Sequence, residues 1–364
     1  MEDDANTDTP LAVFIADRIE PRLGMERALH DLLRTLQDPT ELILICGPTP
    51  SAHEIGVATS LGMRPGWLGR LRAIPQIRQR LISADPSSRI VVVGIWAYVP
   101  SAIASIGTKQ RLVLWEHSLL PWRRRHELRV SLAALALKLL SSQMDTVVSV
   151  SKASRSAVRH LLGEKKRTLV IPNITPAQDH PKSQRTDRTD NLHALVAVGT
   201  LNRRKNWSIA IRALSLLDSR YTLTIYGDGP MRAQLEHLSR KLSVEDRVFF
   251  MGHVENAAAM IGKFSLLIHP SFAETYGYVL FEAADLGVPV VAMDMPVMNE
   301  FIPYYVPGSL SAGDPESFAE AIECANRQRD NRDSDARLRR SSDFSPEAIK
   351  EAWHRVLHSE ERPK

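Results

Sequence analysis

The clearest indication of topology is the stretch His269-Pro-Ser-Phe-Ala-Glu-Thr-Tyr-Gly-Tyr-Val-Leu-Phe-Glu-Ala-Ala-Asp-Leu-Gly-Val-Pro-Val-Val-Ala292. An apolar run ends at His269, a polar loop follows, and a helical pattern beginning near Tyr276 leads to a second apolar run. Apolar runs without strict alternation indicate strands that are covered on both faces. The stretch therefore predicts strand, loop, helix and strand in succession, the repeating unit of a parallel sheet with crossover helices.

Similar apolar runs alternate with helical patterns on both sides of this stretch. In the first half, the predicted strands are 11–16, 41–46, 90–95, 111–115, 146–150 and 169–171. In the second half, they are 194–198, 221–226, 248–251, 266–269 and 288–292. The chain has 364 residues, which is typical of two domains. We therefore predict an α/β protein with two doubly wound, Rossmann-like domains in tandem.

A polar segment divides the chain near its middle, because Ala177 is the only apolar residue apart from proline between Thr175 and Asn191. We predict an N-terminal domain over 1–178, a polar linker over 179–191, a C-terminal domain over 192–342 and a final helix over 343–364. Ser345-Pro346 predicts the start of that helix. Its apolar residues recur at helical spacing, which predicts that the helix docks on another surface, with the first domain as a candidate.

Composition narrows the classes of function. The 46 lysines and arginines against 42 acids leave a net charge of +4, which does not favour a nucleic-acid partner. Two widely separated cysteines, Cys46 and Cys324, indicate a reducing compartment. The acidic, polar start differs from a secretory signal, and the uncharged run 90–107 is interpreted as a buried strand entering a helix. We expect a cytoplasmic protein.

Two loops that follow predicted strands carry residues suited to phosphate. After the strand that ends at Val198, Gly199 is followed by Arg203, Arg204 and Lys205 just before a helix. A solvated basic turn would explain this loop if it stood alone. After the next strand, the segment Tyr226-Gly-Asp-Gly-Pro230 combines tight turning with a first-turn proline.

The third element is a pair of acids, Glu274 and Glu282, with Gly277 between them. Carboxylates accept hydrogen bonds from vicinal hydroxyls, so one acid suits a sugar and the other a ribose. The alternative is an ordinary acid at a helix N-terminus and a surface glutamate.

In order and spacing, the three segments resemble the family 4 glycosyltransferases of the GT-B type, in which two Rossmann-like domains face each other across a cleft. The resemblance implies a retaining enzyme whose N-terminal domain binds the acceptor and whose C-terminal domain binds a nucleotide sugar. It implies that Glu274 contacts the donor sugar, that Glu282 binds the ribose and that Lys205, with Arg204, contacts the diphosphate. The donor-binding residues that it implies are Gly24, Gly199, Thr200, Gly227, Gly229, Pro230, Met251, Thr275, Tyr276, Gly277, Tyr278 and Glu282.

The chain also departs from the family pattern. Thr200 stands where an arginine is frequent, and Glu274-Thr-Tyr-Gly277 replaces a typical Glu-Gly-Phe-Gly. In the first half, Leu23-Gly-Met-Glu-Arg27 keeps only Gly24 of a glycine pair. The resemblance implies that His117, after the strand at 111–115, approaches the reacting sugar and orients or polarises it. A structural role for His117 stays open.

Charged segments complete the set of candidates. Arg123, Arg124 and Arg125, beside Trp122, suit an anionic acceptor or the surface of an anionic membrane, as would a merely solvated helix face. Such contact would place the protein at the inner membrane face. Asp333-Ser-Asp335 lies in a hydrophilic segment and is interpreted as solvated surface. We therefore expect no metal and no cofactor besides the nucleotide-sugar co-substrate.

The expected activity is transfer of a hexose-type sugar from a nucleotide sugar, UDP before GDP, to a hydroxyl of a glycan, lipid-linked sugar or small natural product. A nucleotide-sugar epimerase or a non-catalytic binding subunit on the same fold is the alternative. A nicotinamide dehydrogenase is disfavoured, because no Gly-X-Gly-X-X-Gly follows any predicted strand.

Overall fold

The computed structural model describes residues 10–19, 24–48, 57–117, 128–175, 192–254, 256–327 and 342–358. It divides into two compact units, the first comprising Met1–Ile174 with Pro346–Lys364 and the second Thr175–Ser345. The predicted linker 179–191, the three arginines 123–125 and the segment 333–335 lie outside the described residues.

The first unit is built on a seven-stranded sheet in which all neighbouring strands are parallel. Its strands are β1 (Ala12–Ala16), β2 (Thr40–Cys46), β3 (Val57–Met63), β4 (Arg89–Val93), β5 (Leu112–Glu116), β6 (Met144–Ser149) and β7 (Thr168–Val170). Their order across the sheet is β3-β2-β1-β4-β5-β6-β7. The order reverses direction between β1 and β4, so this unit is doubly wound, as predicted.

Six described helices belong to the first unit: α1 (Gly24–Leu36), α2 (Trp67–Ser83), α3 (Gly94–Ser105), α4 (Leu128–Leu139), α5 (Lys152–Leu162) and, from the end of the chain, α12 (Pro346–Leu357). Helix α12 packs against α1, and Trp353 is fully buried there. The Trp353 ring lies 4.9 Å from that of Trp115 and 6.4 Å from that of Phe14. His354 Nε2 lies 2.7 Å from a carboxylate oxygen of Asp38, beyond the end of α1.

The second unit repeats the architecture with six parallel strands. They are β8 (Ala194–Val198), β9 (Thr222–Tyr226), β10 (Val248–Gly252), β11 (Leu266–His269), β12 (Val290–Met293) and β13 (Gly308–Ser311). Its helices are α6 (Trp207–Leu216), α7 (Arg232–Lys241), α8 (Ala257–Ile261), α9 (Tyr278–Asp285), α10 (Pro296–Phe301) and α11 (Pro315–Arg327). The order β10-β9-β8-β11-β12-β13 confirms the predicted Rossmann-like arrangement.

The structure corrects the predicted strands in three places. The strand expected over 90–95 ends at Val93, because Gly94 has a φ of +73° and turns the chain into α3. Strands β3 and β13 were not predicted. Both lie at sheet edges with mostly half-buried residues, and, unlike the edge strands β7 and β10, neither carries a continuous apolar run. Within the described residues, no helix has both the length and the apolarity to cross a bilayer.

Candidate active site

The candidate site lies at the carboxyl edge of the second sheet, where the strand order reverses between β8 and β11. Doubly wound sheets bind ligands outside the carboxyl ends of their strands at such a reversal. Gly199 directly follows β8, and the loop that carries Glu274 follows β11. Parallel pairing of the two strands brings these loops to the same edge.

Two backbone loops form the floor of the site, and they touch without intervening side chains. The amide of Gly199 donates to the carbonyl of Tyr226 over 2.9 Å, and the amide of Leu201 donates to the carbonyl of Asp228 over 2.9 Å. A Cβ atom at Gly227 would lie 2.1 Å from the Gly199 carbonyl oxygen, and the φ of Gly227 is +148°. Only glycine allows this approach, which explains the residue that the sequence placed there.

The cations are positioned by a single 3-10 turn, Arg203–Lys205. The side chain of Asn202 caps this turn by accepting a hydrogen bond from the Lys205 amide at 3.1 Å. The Lys205 side chain then passes over Gly199, since a Cβ built at Gly199 would lie 3.2 Å from Lys205 Cε. Asn202 and Gly199 together hold the lysine against the strand end.

Glu274 lies between the two cations and binds both. Lys205 Nζ donates to Oε1 of Glu274 at 2.6 Å, and Arg204 donates to Oε2 at 3.1 Å. Arg204 also donates to the carbonyl of Ala273 at 3.0 Å. The Glu274 side chain is 8% exposed and that of Lys205 12%, whereas that of Arg204 is 46% exposed. We call these three residues the ion cluster. Its formal charge is +1, and Arg204 is its solvent-exposed member.

Two residues beneath the ion cluster were not assigned from the sequence. The hydroxyl of Ser271 donates to Oε1 of Glu274 at 3.0 Å, and Nε2 of His269 lies 3.5 Å from the same oxygen. Both residues are completely buried. Their signal was present in the His-Pro-Ser that opens the decisive stretch, but a histidine in an apolar strand looks like any core residue until its neighbours are known.

The charges of the cluster follow from this packing. Although burial alone would raise the pKa of Glu274, Lys205, His269 and Arg204 hold that pKa well below its ordinary value. Burial, reinforced by Lys205, lowers the pKa of His269. At neutral pH the site therefore combines an ionised carboxylate, two cations and a neutral imidazole.

The segment after Glu274 divides its side chains between solvent and core. Gly277 has a φ of +84° and precedes α9, which contains Glu282 as a half-buried residue. Tyr276 is buried, with its ring 4.9 Å from that of Phe281, so any contact with a donor would use its backbone. Thr275 and Tyr278 are half-buried beside it.

The remaining donor-binding candidates surround the floor. Thr200, Pro230 and Met251 are exposed at the ends of β8, β9 and β10, while Gly229 is half-buried. The carbonyl of Thr200 accepts a hydrogen bond from the Trp207 indole at 3.1 Å, which ties this loop to α6. The structure thus brings the candidates of the second half to one edge of one sheet.

His117 and Gly24 belong to the first unit and are described there by themselves. Gly24 is the first residue of α1. His117 follows β5, its ring lies 4.6 Å from the Trp115 ring, and burial lowers its pKa to about 3. Its Nε2 is buried and, in the part of the chain that the structure describes, has no hydrogen-bond partner. The imidazole is therefore neutral at physiological pH.

The chain has two Rossmann-like units in tandem, and loops suited to ligand binding lie at the carboxyl edge of the second sheet. This architecture is the GT-B fold. The likeness to solved structures agrees, as with Anabaena Alr3699/HepE in complex with UDP, which is 23% identical with a TM-score of 0.79. That match covers 96% of this chain and 99% of the Anabaena chain.

Two family models match consecutive parts of the sequence. Residues 23–179 match "Glycosyltransferase Family 4" and residues 193–326 match "Glycosyl transferases group 1". The chain belongs to the family 4 glycosyltransferases.

Curated relatives match over shorter stretches. The lipopolysaccharide core biosynthesis glycosyltransferase LpsD of Rhizobium meliloti is 34% identical over 153 residues, covering 42% of this chain and 44% of the relative. The N-acetyl-alpha-D-glucosaminyl L-malate synthase of Bacillus anthracis is 24% identical over 228 residues, covering 59% and 60%. The chain thus spans 60% or less of the length of these two relatives.

Proposed function

We propose that this protein transfers a sugar from a nucleoside diphosphate sugar to a hydroxyl group, with retention of the anomeric configuration. The observation that carries the proposal is the ion cluster at the strand reversal of the second sheet. Lys205 and Arg204 supply two cations beside Gly199, and the ionised Glu274 fixes both before any donor arrives. Charge held in place in this way needs little reorganisation during the reaction.

The chemistry requires that negative charge on a departing diphosphate be neutralised. In the proposed step, the bond between the anomeric carbon and the diphosphate oxygen breaks while the acceptor oxygen bonds to the same face of that carbon. The acceptor proton passes to the leaving phosphate oxygen, so no nucleophilic side chain is required. Lys205 and Arg204 stabilise the diphosphate, Glu274 accepts hydrogen bonds from the sugar and Glu282 from the ribose.

His117 fits a role in orienting the sugar rather than in attacking it. Its pKa of about 3 makes it a neutral imidazole, which can donate or accept one hydrogen bond but brings no charge. Its buried Nε2 has no hydrogen-bond partner within the described residues, which costs free energy. A hydrogen bond to the sugar would recover that cost.

For the donor we propose a UDP-hexose, because HepE has been solved with UDP and with UDP-glucose. For the acceptor we propose only its chemical class, a compound with a free hydroxyl group. LpsD is named for lipopolysaccharide core and the Bacillus enzyme for malate, so the two relatives do not agree on an acceptor class. Free Cys46 and Cys324 support a cytoplasmic location, where thiols stay reduced.

The test is a panel of nucleotides and nucleotide sugars scored by thermal shift, followed by mass analysis of products with candidate hydroxyl acceptors. UDP is expected to raise the midpoint of unfolding, and the product anomer, determined by NMR, is expected to match that of the donor. An inverted anomer would refute retention. Conversion of the donor sugar without any acceptor would favour an epimerase instead.

We further propose that transfer needs no metal ion and no cofactor other than the nucleotide sugar, since Lys205 and Arg204 would supply two cations to the diphosphate. Dialysis against EDTA is expected to leave the rate of transfer unchanged. A rate that is lost on dialysis and restored by Mg²⁺ or Mn²⁺ would contradict this expectation.

A further inference from the structure

The first turns of α2 present large apolar side chains to solvent. Trp67 is 68% exposed, Leu68 52% and Leu71 44%. The opposite side of the same helix is fully packed, with Ala73 and Ile77 buried in the core of the first unit. Residues three and four apart lie on one side of a helix, so Trp67 and Leu71 are neighbours on the open face.

Arginines, and no acids, accompany these side chains along the segment. Residues 57–83 contain five arginines and neither aspartate nor glutamate. Arg70 is paired with Asp17 through two hydrogen bonds of 2.8 and 2.7 Å, and Arg80 is paired with Glu41. Arg64 and Arg72 are exposed and form no ion pair or hydrogen bond with any described residue.

One connection along the chain and two contacts place this face at the carboxyl edge of the first sheet. Helix α2 begins four residues after β3 ends. Arg70 binds Asp17, which directly follows β1. The Arg70 guanidinium also lies 5.0 Å from the ring centre of Trp96, near the start of α3 and itself 43% exposed. We call Arg64, Trp67, Leu68, Leu71, Arg72 and Trp96 the α2 face.

We propose that the α2 face docks on an anionic lipid bilayer. Tryptophan and leucine side chains enter the boundary between headgroups and acyl chains, and arginines beside them bind anionic headgroups. Charge selects this occupant over the alternatives: a second copy would bring a second set of unpaired arginines against the first, whereas an anionic leaflet compensates them. Arg64 and Arg72, which form no ion pair with a described residue, are complementary in charge to the anionic headgroups.

The experiment measures co-sedimentation of the full chain with vesicles, without nucleotide. Vesicles of phosphatidylcholine alone are compared with vesicles of phosphatidylcholine and phosphatidylglycerol in equal parts. The parent chain is expected to bind the anionic vesicles and to dissociate as salt is added. Binding is expected to fall about fivefold per arginine in the double variant R64Q/R72Q. It is expected to fall about tenfold for each side chain removed in W67S/L71S.

Matched controls come from the same chain. Ile82, at the other end of α2, is 65% exposed, and Arg240 is an exposed cation of the second unit. Ile82→Ser and Arg240→Gln are expected to bind vesicles like the parent. All variants are expected to keep the parent's circular dichroism and unfolding midpoint, because every changed side chain is exposed.

Failure to bind anionic vesicles would overturn the proposal, as would equal losses in the controls. Leu135, exposed on α4, provides a further check: loss of binding in Leu135→Ser but not in W67S/L71S would move the docking surface to α4. A dimer seen by sedimentation that W67S/L71S dissociates would make a second copy the occupant. The α2 face lies in the first unit and UDP titration reports on the second, so failure here leaves the proposed function standing.

Discussion

At the residue scale, the ion cluster concentrates its charge on Lys205. Arg204 keeps nearly half of its side-chain surface in solvent, where water screens its charge, whereas Lys205 is almost enclosed. A cation held in a dry position attracts a diphosphate more strongly than a solvated one. The lysine is therefore the residue whose loss should cost the most.

We expect Lys205→Ala to weaken UDP binding roughly ten- to hundredfold, the value of one charge-assisted hydrogen bond. Transfer should fall at least as far. Isothermal titration with UDP measures the first quantity and initial rates the second. Lys241→Ala, at an exposed lysine at the end of α7, is the matched control. Parent-like affinity in Lys205→Ala would refute the assignment of the diphosphate site.

His269 is a positioning residue, since it touches Glu274 from beneath and is fully buried. Its pKa is lowered in the folded chain, so the unfolded chain takes up a proton first as the pH falls below 6.5, the ordinary value for histidine. The contribution of the neutral His269 to the free energy of unfolding of the second unit is therefore fully present above that pH and declines below it. Unfolding midpoints measured across this range are expected to fall less steeply with acid in His269→Gln than in the parent.

The same variant separates positioning from packing. His269→Gln keeps a polar amide beside Glu274 and should retain most of the affinity for UDP, whereas His269→Ala leaves the carboxylate without this neighbour and should lose affinity. Equal affinities in the two variants would show that His269 only fills space.

At the element scale, α12 belongs to the first unit although it follows the second unit in the sequence. It buries Trp353 between Phe14 and Trp115 of the first sheet. The sequence already presented the apolar face of this helix, and all four of its residues, Ile349, Trp353, Val356 and Leu357, are buried.

We expect Trp353→Ala to destabilise the first unit by about 3–5 kcal/mol, the cost of removing a fully buried tryptophan. Chemical denaturation with circular dichroism measures this loss. Trp67→Ala, at a tryptophan that is 68% exposed, is the control and should change stability little. A small effect at Trp353 would mean that α12 detaches readily from the first unit.

At the scale of the whole molecule, the second unit is inserted in sequence between two parts of the first. A ligand that binds only the second unit should stabilise that unit directly. At about 100 times its dissociation constant, UDP should add about 2.7 kcal/mol to the stability of the unit that binds it. Hydrogen exchange is expected to slow in β8, β9 and β11.

Combining this ligand with the α12 variant tests whether the two units unfold separately. Trp353→Ala should speed exchange in β1 and β5 while leaving the UDP-induced protection of β8 intact. Loss of that protection in Trp353→Ala would show that the units unfold as one cooperative body.

The number of units, their parallel sheets and the loops that carry the candidate site can all be read from the amino-acid sequence. Apolar runs mark strands buried on both faces. Gly199, Gly227 and Gly277 mark turns with positive φ, which residues with a side chain rarely adopt. These signals are local, so they can be read along the chain. The edge strands β3 and β13 were missed because their sequences, Val57–Met63 and Gly308–Ser311, mix small and polar residues with few apolar ones, whereas the edge strands β7 and β10 keep an apolar run.

Which side chains contact each other follows from the packing of the elements and not from the local sequence. Glu274 was expected to meet a sugar and Lys205 a phosphate, but nothing local indicated that they bind each other, since the strand order brings together residues 69 positions apart. The same holds for His269 beneath them, for Arg70 on Asp17 and for Trp353 on the first sheet. Each contact arises from packing between elements distant in sequence, and the energy of burying a charge or a ring depends on those neighbours rather than on the residues beside it in the chain.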